Sequence, residues 1–255
     1  DLEKLAAMRI LDTIFAPSFL ASPHLLPLIA SKQANLSIEY GNAVGSIYGY
    51  THYGLVLCAA LEDFDTGYQF GQLAKRLLKE WNAPRFTAYT VGMLGSYVDH
   101  WKEHLRDTLP GLQEAYRVGL ENSNHAGTAQ CSISYIVASY LAGRELATIE
   151  PEMAQHVQVM AELKQGPHLN WHKIYWQAAL NWMGESDDPC RLIGAGYDEE
   201  KELSLHREAQ DEGAIFNVYF NKLILCYRFQ EFEQALKLLN SAELSAGGAA
   251  GSLFS

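Results

Sequence analysis

The chain has 255 residues, 48% of them hydrophobic, and carries 30 acidic against 19 basic side chains for a formal charge of -11. That is ample apolar material for a packed core, which excludes a disordered segment, and its few scattered basic residues argue against a nucleic-acid surface. No apolar run approaches the roughly 18 uncharged residues of a membrane span, so no membrane insertion is expected. Cys58, Cys131, Cys190 and Cys226 are far apart and sit in apolar runs, as buried reduced thiols do. With no signal peptide, the expected setting is cytoplasmic.

In chain order, nearly every segment follows the helical 3.6-residue period, and alternating β runs closed by Asn-Gly turns are missing, which predicts an all-α fold. The first helix is expected over Leu2 to Phe15, with Leu5, Met8, Leu11 and Phe15 on one stripe, stopping near Pro17. A second runs from about His24 to Tyr40 and ends at the Gly41-Asn42 breaker. Helices then come in pairs: Ser46 to Leu61 and Tyr68 to Trp81 across EDFDTG; Arg85 to Asp99 and Leu105 to Leu120 across HWKE; Ala126 to Leu141 and Glu145 to Leu163. A short helix through Trp182 and the loop ESDDPCRLIGAGYDEE follow, then helices over Glu200 to Gln210, Ala214 to Phe229 and Phe232 to Ala242.

Paired antiparallel helices recurring every 34 to 47 residues are the signature of helical solenoids. Bulky-x-x-small anchors open the second helices at Phe64-x-x-Gly67 and Phe232-x-x-Ala235, with Leu146 in the bulky place of another and Leu112-Gln113-Glu114-Ala115 as an intermediate copy. The small residue lets two helices approach while the large one fills the gap above it. The expected fold is therefore all-α antiparallel helix pairs, stacked as a tetratricopeptide-like right-handed solenoid, with a non-repeating helical bundle as the rival. The expected organisation is N-terminal helices over 1–40, helical-hairpin repeats over 41–165, an irregular connection with a short helix over 166–199, C-terminal hairpins over 200–244, and a turn or truncated start of a further unit over 245–255. Phe232 and Ala235 are expected to lock the last helix in place, with Leu236 and Leu239 facing the stack. The missing initial Met and the abrupt GSLFS end are read as a piece of something longer.

Catalytic patterns are few. His100-Trp101-Lys102-Glu103-His104 fits the H-x-x-E-H arrangement, in which two histidines one helical turn apart could share a zinc ion beside a glutamate base, so His100, Glu103 and His104 define a rival zinc-dependent hydrolase. Their place between two helices, where the helical spacing need not hold, and the lack of a third ligand count against it. His168 and His172 repeat the spacing without a glutamate. The acidic pairs Asp187-Asp188 and Glu199-Glu200 read as solvated surface rather than an acid/base dyad, and Gly194-Ala195-Gly196 lacks the third glycine and the strand of a dinucleotide loop. The tyrosine- and glycine-rich helix from Asn42 to Ala60 could instead line a small-molecule sensing cavity, although glycine there also permits close helix packing.

Several phrases together, LSIEYGNAVGSIYGYTHYGLVL, FDTGYQFGQLAKRLL, the stretch from HWKEHLRDTLPGLQEAYRVGLE to SYLAGREL, and YFNKLILCYRFQEFEQALKLL, resemble the helical region of very large bacterial signalling proteins. In these, a Ser/Thr kinase-like domain, a STAND/AAA-type predicted ATPase, tetratricopeptide-like helices, a GAF sensor and often a histidine kinase share one chain. The resemblance spans most of Leu36 to Leu239 and departs from the family's usual Gly-Asp turn at Ser123-Asn124. It implies an ATP-dependent parent whose ATP sites lie in other domains, so it places no catalytic residue, metal or cofactor in this segment. The function it implies is that of a non-catalytic scaffold or sensor-relay piece whose partners are proteins or neighbouring domains of the same chain, with homodimerisation also open. Asn217 and Asn221, one helical turn apart, are the candidates for holding a peptide backbone in a groove.

Overall fold

The computed structural model describes residues 2–245. Among the described residues there are twelve α-helices, two single 3-10 turns and no strand, with one isolated bridge between Ile193 and Asp198. The helices are α1 (Leu2–Ala21), α2 (Leu26–Tyr40), α3 (Ser46–Leu61), α4 (Phe64–Glu80), α5 (Pro84–Tyr97), α6 (Leu105–Glu121), α7 (His125–Leu141), α8 (Leu146–Glu162), α9 (Gly166–Met183), α10 (Glu199–Glu208), α11 (Glu212–Arg228) and α12 (Phe232–Ser245). The 3-10 turns span Pro23–Leu25 and Asp99–Trp101. Expected and observed helices agree closely, and α3 has the bounds its pattern predicts.

Three elements differ from expectation. Helix α1 runs through Pro17 to Ala21; proline removes one intrahelical donor, but the bonding resumes at once, with the Ser22 N–H donating to the Ser18 carbonyl at 2.9 Å. Helix α4 begins at Phe64 because Asp63 caps it, its carboxylate accepting from the Thr66 N–H at 3.1 Å, so only two residues of EDFDTG form the turn. The 166–199 connection holds a full 18-residue helix, α9, with Pro167 in its first turn, where a missing N–H costs nothing. Residues 246–255, where the turn into a further unit is expected, lie outside the described residues.

The chain divides into two compact units, with the division between Ser134 and Tyr135 inside α7. In the first, α2 packs on α3, α3 on both α4 and α5, and α5 on α6; in the second, α8 packs on α9, α9 on α11, and α11 on α12. The four cysteines are buried and free of disulfides, as expected.

The pairs recur with a fixed step. Phe64, Leu105 and Leu146 open α4, α6 and α8, each 41 residues after the last, and Pro84, His125 and Gly166 open α5, α7 and α9 at the same step. Glu80, Glu121 and Glu162 close the first set. Two residues later the chain turns through left-handed backbone at Asn82 (φ 47°), Ser123 (φ 52°) and Lys164 (φ 56°). The buried stripe repeats too: Gly67, Thr108 and Ile149, then Gly71, Leu112 and Met153. The intermediate copy of the Phe64-x-x-Gly67 anchor is therefore Leu105-x-x-Thr108, and the expected Leu112-x-x-Ala115 lies two helical turns further on. A recurrent buried face at fixed step means that each pair solves the same packing problem.

Glycine sets the helix separations. A Cβ on Gly67 would stand 2.4 Å from Cys58 Sγ and 2.9 Å from the Gly54 carbonyl oxygen, so α3 and α4 meet backbone to backbone. This is the bulky-x-x-small reading made physical, and it gives the glycines of α3 a packing role. On α12, Ala235 and the partly buried Leu238 pack against Cys190 and Cys226. Leu236 and Leu239, expected to face the stack, are 67% and 40% exposed. The α11–α12 packing turns the other side of α12 inward.

Candidate functional site

The H-x-x-E-H segment is split between two elements. His100 lies in the 3-10 turn, while His104 caps α6, its Nδ1 accepting from the Arg106 N–H at 3.2 Å. Glu103, between them, accepts from the Tyr68 hydroxyl at 2.8 Å and from Gln72 Nε2 at 3.3 Å, and lies 3.7 Å from Lys75 Nζ. The same lysine pairs with the buried Asp99 at 2.8 Å. Trp101 stacks on Phe64 with ring centroids 4.0 Å apart. The segment thus clamps the surface of α4 with an ion-paired turn and an aromatic lid. Burial pushes the His100 imidazole down to about 4, so it is neutral at pH 7. Among the described residues no group of three or more His, Cys, Asp or Glu side chains is placed to hold a metal ion.

His168 sits in the first turn of α9, and its carbonyl lies 2.6 Å from His172 Nδ1. His172 also stacks on His156 at 6.1 Å, and His156 on Tyr135 at 5.9 Å. Desolvation lowers all three histidines, to about 4, 3 and 4 for His168, His172 and His156, so they pack as neutral rings. Asn217 and Asn221 on α11 lie inside the second unit, 7% and 0% exposed. The Tyr175 hydroxyl donates to Asn217 Oδ1 at 3.0 Å, and Asn221 Nδ2 donates to the Asn217 carbonyl at 2.8 Å. Asn217 thereby ties α11 to α9, the Asn221 bond lies within α11, and both side chains are buried in this arrangement.

Sequence reasoning missed two buried polar assemblies. In the second unit, Gln177 on α9 holds the loop ahead of α10: its Oε1 accepts from the Gly196 N–H at 2.9 Å and the Tyr197 N–H at 3.3 Å. Its Nε2 donates to Asn181 Oδ1 at 2.8 Å, while Asn181 Nδ2 donates to the Pro189 and Arg191 carbonyls at 3.1 and 2.6 Å. Gly194-Ala195-Gly196 is glycine-rich for this reason, since a Cβ on Gly196 would stand 2.9 Å from the Gln177 backbone nitrogen. Gln177→Ala should raise amide exchange at Gly196 and Tyr197 about 30-fold, the equivalent of about 2 kcal/mol for two orphaned donors, as read by hydrogen-exchange mass spectrometry. Exchange unchanged from the parent would show that the loop is held by other contacts.

In the first unit, a chain of polar side chains crosses four helices. Asp12 of α1 accepts from Gln33 Nε2 of α2 at 2.5 Å, and Gln33 Oε1 lies 2.8 Å from His52 Nδ1 of α3. His52 Nε2 lies 3.2 Å from the Tyr89 hydroxyl of α5. Phe15 stacks flat on the imidazole at 3.4 Å, and Gln33 and His52 are 0% and 1% exposed. Burial raises the Asp12 carboxyl to about 7 and lowers His52 to about 3. The only trace of this in the sequence is a polar Gln33 and His52 within otherwise apolar helix faces, a pattern that does not say which helices supply the partners.

No protein-family model matches the chain. Over 141 residues it is 25% identical to "Hybrid signal transduction histidine kinase G" of Dictyostelium discoideum, a stretch covering 54% of this chain and 4% of that protein. No helix among the described residues is long and apolar enough to cross a membrane. The comparison, distant as it is, relates half of this all-helical chain to part of a signal-transduction kinase.

Proposed function

We propose that the chain is a non-catalytic helical-repeat segment of a larger signalling protein, its helix pairs stacked as a right-handed solenoid that docks neighbouring domains and relays their state to a kinase or ATPase elsewhere. The 41-residue recurrence and the kinase similarity support this reading. The observation that carries it is the bare stripe on α12, where Phe232, Leu236 and Leu239 are 53%, 67% and 40% exposed beside Tyr227 at 62%.

The same register on α4 shows what fits such a stripe. Phe64 is covered by Trp101, Tyr68 is bonded to Glu103, and a Cβ on Gly71 would meet Leu94 and Val98 of the following pair. The occupant of the α12 stripe is accordingly a further helix pair with an apolar first helix and an aromatic at its end, since apolar surface of this kind gains about 25 cal/mol per Å² on being covered. Solenoid ends that stop in solvent carry a polar outer face instead.

Phe232→Glu with Leu236→Lys should leave the melting temperature within about 2 °C of the parent, and should abolish binding of an apolar fluorescent dye and any concentration-dependent association in sedimentation velocity. A drop of more than about 6 °C would mean that these side chains hold the fold together and face no partner. The chain alone is expected to turn over no ATP and to bind no zinc; one equivalent of zinc lost on His104→Ala would favour the hydrolase reading instead.

A further inference from the structure

We propose that Asp12, Gln33, His52 and Tyr89 form a proton-gated relay across α1, α2, α3 and α5, in which the direction of every hydrogen bond reverses with the charge on Asp12. The direction of each bond follows from which atoms can donate. An ionised carboxylate only accepts, so Gln33 must turn Nε2 toward Asp12 and Oε1 toward His52, as observed. Oε1 only accepts, so the His52 ring proton sits on Nδ1, and Nε2 is left to accept from the Tyr89 O–H. All the donors then point toward α1.

When Asp12 takes one proton from water, its O–H can donate to Gln33 Oε1 once the amide turns over. Nε2 then donates to His52 Nδ1, the ring proton moves to Nε2, and Nε2–H donates to the Tyr89 oxygen. The net change is one proton on Asp12. His52 loses a proton at Nδ1 and gains one at Nε2 by exchange with water during local opening, and it is neutral in both states. Tyr89, at the other end of the hydrogen-bond chain from Asp12, then has a hydroxyl hydrogen free to find a new acceptor.

The surroundings select Asp12 as the titrating group. Gln33 faces it from α2, Tyr48 from α3 and Tyr89 from α5, and the two tyrosine hydroxyls stay protonated because burial raises both. Among the described residues no ion pair to Asp12 is present. With one neutral donor to offset its burial, the carboxyl titrates at about 7, while Phe15 and its surroundings keep His52 neutral. Gln33, which can present either end of its amide to either neighbour, is the reversing element. The relay concerns regulation of the first unit and stands whether or not the α12 stripe docks a partner.

The test is the His52 tautomer, read in the whole chain by two-bond nitrogen–proton couplings of a nitrogen-15-labelled imidazole. From about pH 8.5 to about pH 5.5 the majority tautomer should invert from Nδ1–H to Nε2–H, with a midpoint shared by the Asp12 carboxyl carbon shift. Asp12→Asn should abolish the pH dependence. A tautomer that is the same at both ends of this range, or an Asp12 midpoint below about 5, overturns the proposal. Both readings come from the parent chain, so they decide the matter even if the Asn variant fails to fold.

Discussion

Gly92→Val should destabilise the first unit by about 3 kcal/mol and lower its melting temperature by about 10 °C. A Cβ at Gly92 would stand 2.7 Å from the Cys131 backbone nitrogen, 2.8 Å from the Cys131 Cα and 3.1 Å from the Gln130 carbonyl carbon. All three are main-chain atoms of α7, so no side-chain rotation makes room and the two helices must separate. Separation opens gaps around Cys131 and Leu94, both fully buried. Valine gains some intrinsic helix propensity over glycine, but by less than about 1 kcal/mol, so overpacking wins. Gly111→Ala on α6 is the control. Nothing lies within 4 Å of its Cβ position, and the change should stabilise the chain by about 0.5 to 1 kcal/mol through the helix term alone. Urea unfolding of both variants against the parent checks the pair; equal effects of the same sign would refute the close-approach argument.

The second large effect is acid lability. An unfolded histidine titrates near 6.5, whereas His52 and His172 are pressed to about 3 and His100, His156 and His168 to about 4, with His206 also lowered, all chiefly by burial. A group with a depressed folded value is neutral in the fold and takes up a proton more readily when unfolded. Stability is therefore complete above about pH 6.5 and falls as the pH drops toward about 4. Each fully buried imidazole costs about 2 kcal/mol at pH 5, so the cluster of His156, His168 and His172 should cost the second unit at least about 4 kcal/mol.

Asp12 works in the opposite sense. Its folded value is raised from 3.8 to about 7, so its contribution grows as the pH falls through 7 and is complete below about 3.8. The first unit is partly protected by it, and the second should unfold first. Fluorescence of Trp171, Trp176 and Trp182 should report a transition between pH 6 and about pH 4.5 that His172→Gln makes shallower. Stability flat across this interval would show that the rings are solvated.

Much of the fold was legible because helix formation is encoded locally. Apolar spacing of 3.6, glycine after the last turn and short polar stretches between helices put α3 at Ser46–Leu61 and placed nearly every other helix within a few residues. The misses share a cause. Pro17 reads locally as a stop, yet α1 continues past it. The glycine- and proline-marked stretch before Trp182 reads as an irregular connection with a short helix, yet α9 starts at Gly166 with Pro167 in a first turn that has no use for its N–H. The H-x-x-E-H stretch shows the same limit at the site level, since its spacing suggests one helix face and its residues occupy a 3-10 turn and a helix cap.

By itself, the sequence determined an all-helical chain of paired elements with buried thiols, because composition and periodicity act through residues close together along the chain. The tertiary structure decided the inward and outward faces of α12, the burial of Asn217 and Asn221, and the Asp12–Gln33–His52–Tyr89 chain. The physical reason is distance along the polypeptide. Gln33 and His52 stand 19 residues apart and His52 and Tyr89 37, and whether a buried polar group finds its partner or a leucine finds cover depends on which helices meet there.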